Sequence, residues 1–240
     1  MKDYRTLHSV IQKRDSGPSG KEQLFEVAVF LFLIVPSMTL SFFAVKQGSI
    51  SFLLVASATI GRDLALVTLI LFFLWHNGES VDRIGWTSRN TVKEVAIGIG
   101  LFIPFLVGNN LLDQGLHALG FSSPSTPLPS YLTAKDIPQL LMAGFLVVVV
   151  ALAEETIFRG YLILRLRAVT GSRLAAAILS AIIFSLGHGY EGSAGVITVG
   201  AMGLVFAFVY LWRQSLVAPV VMHFLQDFIG IVLLPLLTKG

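Results

Sequence analysis

Residues 137–159 read IPQLLMAGFLVVVVALAEETIFR. The first part, Ile137 to Ala153, carries no charge, and its apolar residues run on without alternation. Spanning a bilayer takes about 20 apolar residues, because the hydrocarbon core is about 30 Å thick and a helix rises about 1.5 Å per residue. The stretch therefore reads as a membrane helix that ends in two glutamates and an arginine. Similar uncharged runs flank it at Val27 to Val45, Val95 to Leu112, Leu174 to Tyr190 and Gly192 to Trp212. Two more qualify with interior polar residues, Ser51 to Trp75 around Arg62-Asp63 and Leu216 to Leu237 around Asp227. Continuous rather than alternating runs argue against a β-barrel. The expectation is an all-α, polytopic integral membrane bundle of about seven helices.

Composition agrees. Of 240 residues, 55% are hydrophobic and 13% charged, about half the charge of an ordinary soluble domain. Such a chain can cover neither a soluble globule nor a disordered segment. It has no cysteine, which excludes disulfides, thiol nucleophiles and Cys-ligated metal sites. The net charge of +3 is explained by where the basic residues fall. Twelve of the 17 Lys and Arg lie in the tail and alternate loops, from Lys2 through Arg83, Arg89 and Arg173 to Arg213. Only Lys46, Lys135 and Lys239 lie on the other side, and Arg62 and Arg159 sit within spans. The positive-inside rule then gives a cytoplasmic N-terminus and an external C-terminus. No nucleic-acid partner is needed to explain the basic balance. Trp75, Trp86 and Trp212 stand near span ends, where an interfacial belt is expected.

The chain divides into a polar cytoplasmic tail at 1–23, N-terminal membrane helices and loops at 24–136, and a C-terminal core at 137–240. The tail is too charged for a signal peptide. Residues 121–130, FSSPSTPLPS, form an external loop, and no internal repeat is evident.

An ionisable group inside a span costs a few kcal/mol and is a functional candidate by default. Four places qualify. Glu154 and Glu155 point about 100° apart on a helix, and Glu155 stands at i,i+4 to Arg159 in the favoured orientation for an ion pair. Glu154 is left on another face without a local partner, a setting that suits a general acid or base. His188 closes the run Phe184-Ser185-Leu186-Gly187-His188. His223 and Asp227 share a face at i,i+4. Arg62-Asp63 reads as a structural contact to a neighbouring span, or as a helix break, because adjacent residues do not face each other. Small residues at Ala177, Ala181 and Ser185, and at Gly203 and Ala207, let helices approach closely.

One glutamate and two histidines leave several chemistries open. Glu154 can activate water. Glu154, His188 and His223 also make a hydrolytic zinc pattern. A proton relay in a transporter is a third use, though no paired broken helices support it. HExxH and GxSxG are both absent. With ends taken at Arg165, Arg173 and Leu216, helical rise puts Glu154, His188 and His223 about 16, 22 and 10 Å deep, within the membrane but not level.

Glu-Glu-x-x-x-Arg at 154–159, Phe-x-x-x-His at 184–188 and His-x-x-x-Asp at 223–227, on successive late spans, resemble the CPBP intramembrane proteases. These are also called the Abi or CAAX-protease family and include Rce1-type prenyl-protein endopeptidases and bacteriocin-immunity relatives. The resemblance covers about residues 137–237. It implies that Glu154 and His188 activate the attacking water and that His223 stabilises the oxyanion, with Glu155, Arg159 and Phe184 supporting. Asp227 falls where Asn is often found. An ionised Asp cannot donate to an oxyanion, so the residue orients or charges His223, or is itself protonated. The implied activity is an intramembrane endopeptidase acting on membrane-embedded or lipid-anchored proteins in the cytoplasmic or inner membrane, with no cofactor required. Two alternatives stand beside it. One is a Zn²⁺-dependent protease using Glu154, His188 and His223. The other is a non-catalytic immunity or scaffold protein.

Overall fold

The computed structural model describes residues 18–47, 51–122, 134 and 136–237, with 40–47 described by backbone alone. Most of the expected polar tail and most of loop 121–130 fall outside them. Seven helices follow in chain order among the described residues: α1 Gly20–Gln47, α2 Phe52–His76, α3 Thr91–Ala118, α4 Ile137–Thr170, α5 Arg173–Leu186, α6 Gly192–Arg213 and α7 Val217–Leu237. Six are long and apolar enough to cross a membrane, and α5 is shorter. The chain is an integral, multi-pass, all-helical membrane protein.

Local sequence sets several helix ends. Ser51, Asp136 and Ser172 accept hydrogen bonds from the backbone N–H groups of Leu54, Gln139 and Ala175, the usual N-cap geometry. Gly171, at φ +69, stops α4 in the left-handed conformation that favours glycine. Two expectations about length are corrected. The fourth span, taken to end at Arg165, runs on as α4 to Thr170. The expected fifth span reaches Tyr190, but α5 stops at Leu186, and His188 follows it in a turn. Gly187 begins the break, and fourteen residues of helix reach only about 21 Å.

Large apolar side chains such as Phe32, Leu54, Ile103, Phe145 and Trp212 point outward. A water-facing surface would not tolerate so many together, whereas lipid does. Inside, the helices pack in an alternating, up-and-down arrangement. At one end, Glu26 near the start of α1 accepts from Asn77 (2.6 Å), from Tyr161 (2.6 Å) and from Arg165 of α4 (2.7 Å). Glu79, just past α2, pairs with the same Arg165. The start of α3 meets the end of α6 through Glu94 and Arg213 (2.6 Å). The residue after α3 region, Ser122, binds Ser193 at the start of α6 (3.0 Å). These pairings join alternate helix ends, as the alternation of loop charge requires.

The small-residue positions do what their spacing predicts. A Cβ on Gly203 would lie 3.3 Å from the Cβ of Ala181, so α5 and α6 touch closely there. A further close approach, of α3 and α7 at Gly98, has its imagined Cβ 2.8 Å from the Ala218 carbonyl.

Candidate active site

The helix carrying the two glutamates changes geometry where they stand. α4 is α-helical to Glu154, widens to a π-helix over Glu155–Leu162, and returns to α over Ile163–Thr170. α7 widens likewise over Phe228–Leu233, immediately after Asp227. Such wide turns are rare and are frequent at functional sites. On α4 the wide segment has side-chain support: Thr156 Oγ1 donates back to the Leu152 carbonyl (2.6 Å) and accepts from the Trp86 indole (2.9 Å). Trp86 is thus half-buried against the core, not part of an interfacial belt. Trp75 and Trp212 are exposed near helix ends, as that belt requires.

His223 is the centre of the cluster and is buried. Its Nδ1 donates to Glu155 Oε1 at 2.8 Å. Its Nε2 stands 3.7 Å from Glu154 Oε2 and 3.5 Å from Asp227 Oδ2. Contacts of that length leave room for a bridging water. Glu155 also meets Arg159 Nη1 at 2.9 Å, the ion pair that the i,i+4 spacing predicts, with both side chains buried. The Arg159 guanidinium lies 4.3 Å from the Phe184 ring centre and 5.4 Å from that of Phe206. Aromatic faces so take up a cation whose terminal nitrogens make no directed hydrogen bond among the described residues. Three carboxylates (Glu154, Glu155 and Asp227) face one permanent cation, Arg159. A neutral cluster needs two further protons, to be held by His223 or the carboxylates.

The expected mismatch in depth disappears. A Cβ on Gly160 would lie 3.2 Å from Leu216 Cδ1, so those residues share one level. From it Glu154 is six residues along α4 and His223 seven along α7, about 9 and about 10 Å. Arg165 was the wrong reference, because α4 continues past the level where α7 begins.

His188 stands a little apart. Its Nδ1 donates to the Phe184 carbonyl (3.1 Å), and its ring lies 4.9 Å from that of Phe184. It is within electrostatic range of Asp227, as are Glu154 and Glu191. Phe184 links the two imidazoles, with its ring 6.2 Å from that of His223. Beside this turn, a groove of about 480 Å³ opens between α1 and α5, lined by Leu31, Val35, Met38 and Ile183 among others.

Two features escaped the sequence reading. One is the bond from Glu155 to His223, since residues on different helices have no spacing to read. The other is the mutual pairing of Arg62 and Asp63 in an unbroken α2, Arg62 Nε donating to Asp63 Oδ1 at 2.8 Å, while Nη1 makes the expected contact to a neighbouring span by donating to Ser37 Oγ of α1 at 3.4 Å. A long arginine side chain can fold back where two short ones cannot. Among the described residues no group of three or more His, Asp or Glu side chains is placed to hold an ion. A zinc site from Glu154, His188 and His223 is not preformed in this arrangement.

The site is a carboxylate–imidazole cluster inside a polytopic helical membrane protein. Comparison with known proteins shows what the C-terminal segment is similar to. Residues 136–229 match the family of Rce1-like, type II CAAX prenyl endopeptidases. The chain is 30% identical over 99 residues to the membrane-embedded CAAX protease MroQ of Staphylococcus aureus (strain USA300). That match covers 39% of this chain and 38% of the relative. No solved structure matches. The C-terminal segment is thus similar to Rce1-like CAAX proteases, over less than half of the chain and of the relative.

Proposed function

We propose that the protein is an intramembrane endopeptidase that hydrolyses peptide bonds of membrane-associated proteins, with Glu154 and His188 activating water. The observation that carries the reading is the buried cluster, in which Glu154 and Asp227 flank Nε2 of His223 at 3.7 and 3.5 Å. Glu154 takes a proton from water as the water oxygen attacks the scissile carbonyl carbon. His188 commits Nδ1 to the Phe184 carbonyl, which leaves Nε2 to orient that water. His223, anchored through Nδ1 by Glu155, presents Nε2–H to the developing oxyanion. Collapse breaks the C–N bond, and the leaving amine takes the proton from Glu154. The products are a carboxylic acid and an amine. Substrate enters from the lipid side through the groove between α1 and α5. No step requires a metal.

The test is cleavage of membrane-protein and peptide pools by purified protein in detergent and in proteoliposomes. Glu154→Gln and His188→Ala are each expected to lose at least about 100-fold in kcat. Cleavage undiminished in both variants overturns the assignment. Activity is expected to survive strong chelation. Its loss, with recovery on adding Zn²⁺, selects the zinc-dependent reading instead.

A further inference from the structure

Arg62 and Asp63 lie outside the segment that matches the family, and no step above uses them. Two apolar layers fix their height. Ile60 of α2 and Val150 of α4 both border one apolar cluster, and Leu66 and Ile157 both belong to the other. α2 and α4 run side by side in the same direction, so Arg62 and Asp63 fall in the gap between layers, level with Glu154.

The two side chains differ in exposure. That of Asp63 is buried, whereas a third of Arg62 is accessible. One Asp63 oxygen receives both Nε (2.8 Å) and Nη2 (2.7 Å) of Arg62, and Nη1 reaches Ser37 Oγ at 3.4 Å. A guanidinium carries five N–H groups, so two make no hydrogen bond among the described residues. A cation halfway along a span faces the bundle interior or a water-filled cavity, not lipid. Glu154 and Tyr190 are within its electrostatic range. The second Asp63 oxygen is buried without a hydrogen-bond partner among the described residues, which marks this gap as a polar place in an apolar bundle.

A peptide stretched out for cleavage at this depth exposes carbonyl oxygens that neither water nor its own helix can satisfy. Glu154, Glu191 and Asp227, when ionised, offer acceptors only. The Nε2–H of His223 serves the oxyanion, so donors for the rest of the peptide must come from elsewhere, and Arg62 has them to spare. The geometry points to Arg62 as a substrate-holding residue. Its unused N–H groups donate to acceptor oxygens of the bound peptide beside the scissile bond, either main-chain carbonyls or the C-terminal carboxylate. Asp63 is the positioning residue that fixes the fork. This inference rests on the hydrolytic reading above.

The experiment uses quenched fluorescent peptides that the wild-type protein cleaves in detergent, each made with a free and with an amidated C-terminus. Arg62→Gln alone strands the buried Asp63, so the decisive variant is the neutral double Arg62→Gln/Asp63→Asn, with Arg62→Lys as the conservative one. The double variant is expected to raise KM about tenfold or more with kcat within about threefold. Arg62→Lys is expected to recover part of the loss. A KM penalty confined to free C-termini identifies the carboxylate as the acceptor, and an equal penalty in both arms identifies main-chain carbonyls. An unchanged KM, or a fall in kcat alone, overturns the role of Arg62 while leaving the hydrolytic reading intact. Absence of any Glu154-dependent cleavage by the wild-type protein overturns both.

Discussion

Glu154 and Glu155 are adjacent in the chain, yet the structure gives them different partners. Glu155 is fully buried between Arg159 and His223. Among the described residues Glu154 approaches the far nitrogen of His223, at 3.7 Å, and keeps some exposure. Removing one member of a buried ion pair leaves the other charge uncompensated and costs about 3–5 kcal/mol. Arg159→Leu is therefore expected to lower thermal stability in detergent by about that amount and to reduce the yield of folded protein. Glu154→Gln keeps shape and removes only a charge, so its melting temperature should stay near that of the wild type while activity is lost. Equal destabilisation by both substitutions would contradict this division between a structural and a reactive carboxylate. The i,i+4 spacing made the Glu155–Arg159 pair legible in sequence. The bond to His223 was not legible, because it depends on how α4 and α7 are set against each other.

At the scale of elements, that setting is made by a short segment between α2 and α3. The 3₁₀ turn Val81–Ile84 and the residues after it reach both helices of the site. The Trp86 indole donates to Thr156, next to Glu155. The Ile84 carbonyl lies 2.7 Å from where a Cβ on Gly160 would be. The Gly85 carbonyl accepts from the Leu216 N–H at the foot of α7 (3.0 Å). Gly85 has φ +90 and no room for a side chain beside Tyr210, so only glycine suits it. The segment acts as a strap that holds the wide turn of α4 at the height of His223. Trp86→Phe removes the N–H and keeps most of the packing. It is expected to lower kcat about tenfold with KM unchanged, because small misplacements of reacting groups are costly. Unchanged kcat, in a variant shown to have lost the bond, would relieve the strap of that role. The sequence carried every long helix through its apolar runs. It did not carry the π-segments or the early stop of α5, because both depend on neighbours distant in the chain, such as Trp86 on Thr156. Trp86 itself was read from its position near a span end, a rule about lipid that a tertiary hydrogen bond overrode.

For the whole molecule, the two parts of the chain are one structure. The family match begins at residue 136, yet Glu26, Glu79 and Trp86 from before it are bonded to Arg165, Tyr161 and Thr156 within it. Contacts at Glu26, Glu79 and Arg165 gather the start of α1, the end of α2 and the late part of α4 on one side of the bundle. Ser122 and Ser193 meet on the other. Geometry thus fixes which ends lie together, and the loop charges fix which of those sides faces the cytoplasm. The absence of cysteine makes this directly measurable. A single Ser88→Cys in the loop between α2 and α3, and a single Leu119→Cys just past α3, place thiols at exposed positions on opposite sides. In intact cells, a membrane-impermeant maleimide is expected to label the thiol at 119 and to reach the one at 88 only after the membrane is opened. The reverse pattern would invert the bundle, and with it the side from which the arginine-rich end of α4 meets its surroundings. Labelling of both in intact cells would mean that the chain between them, all of α3, does not cross the membrane.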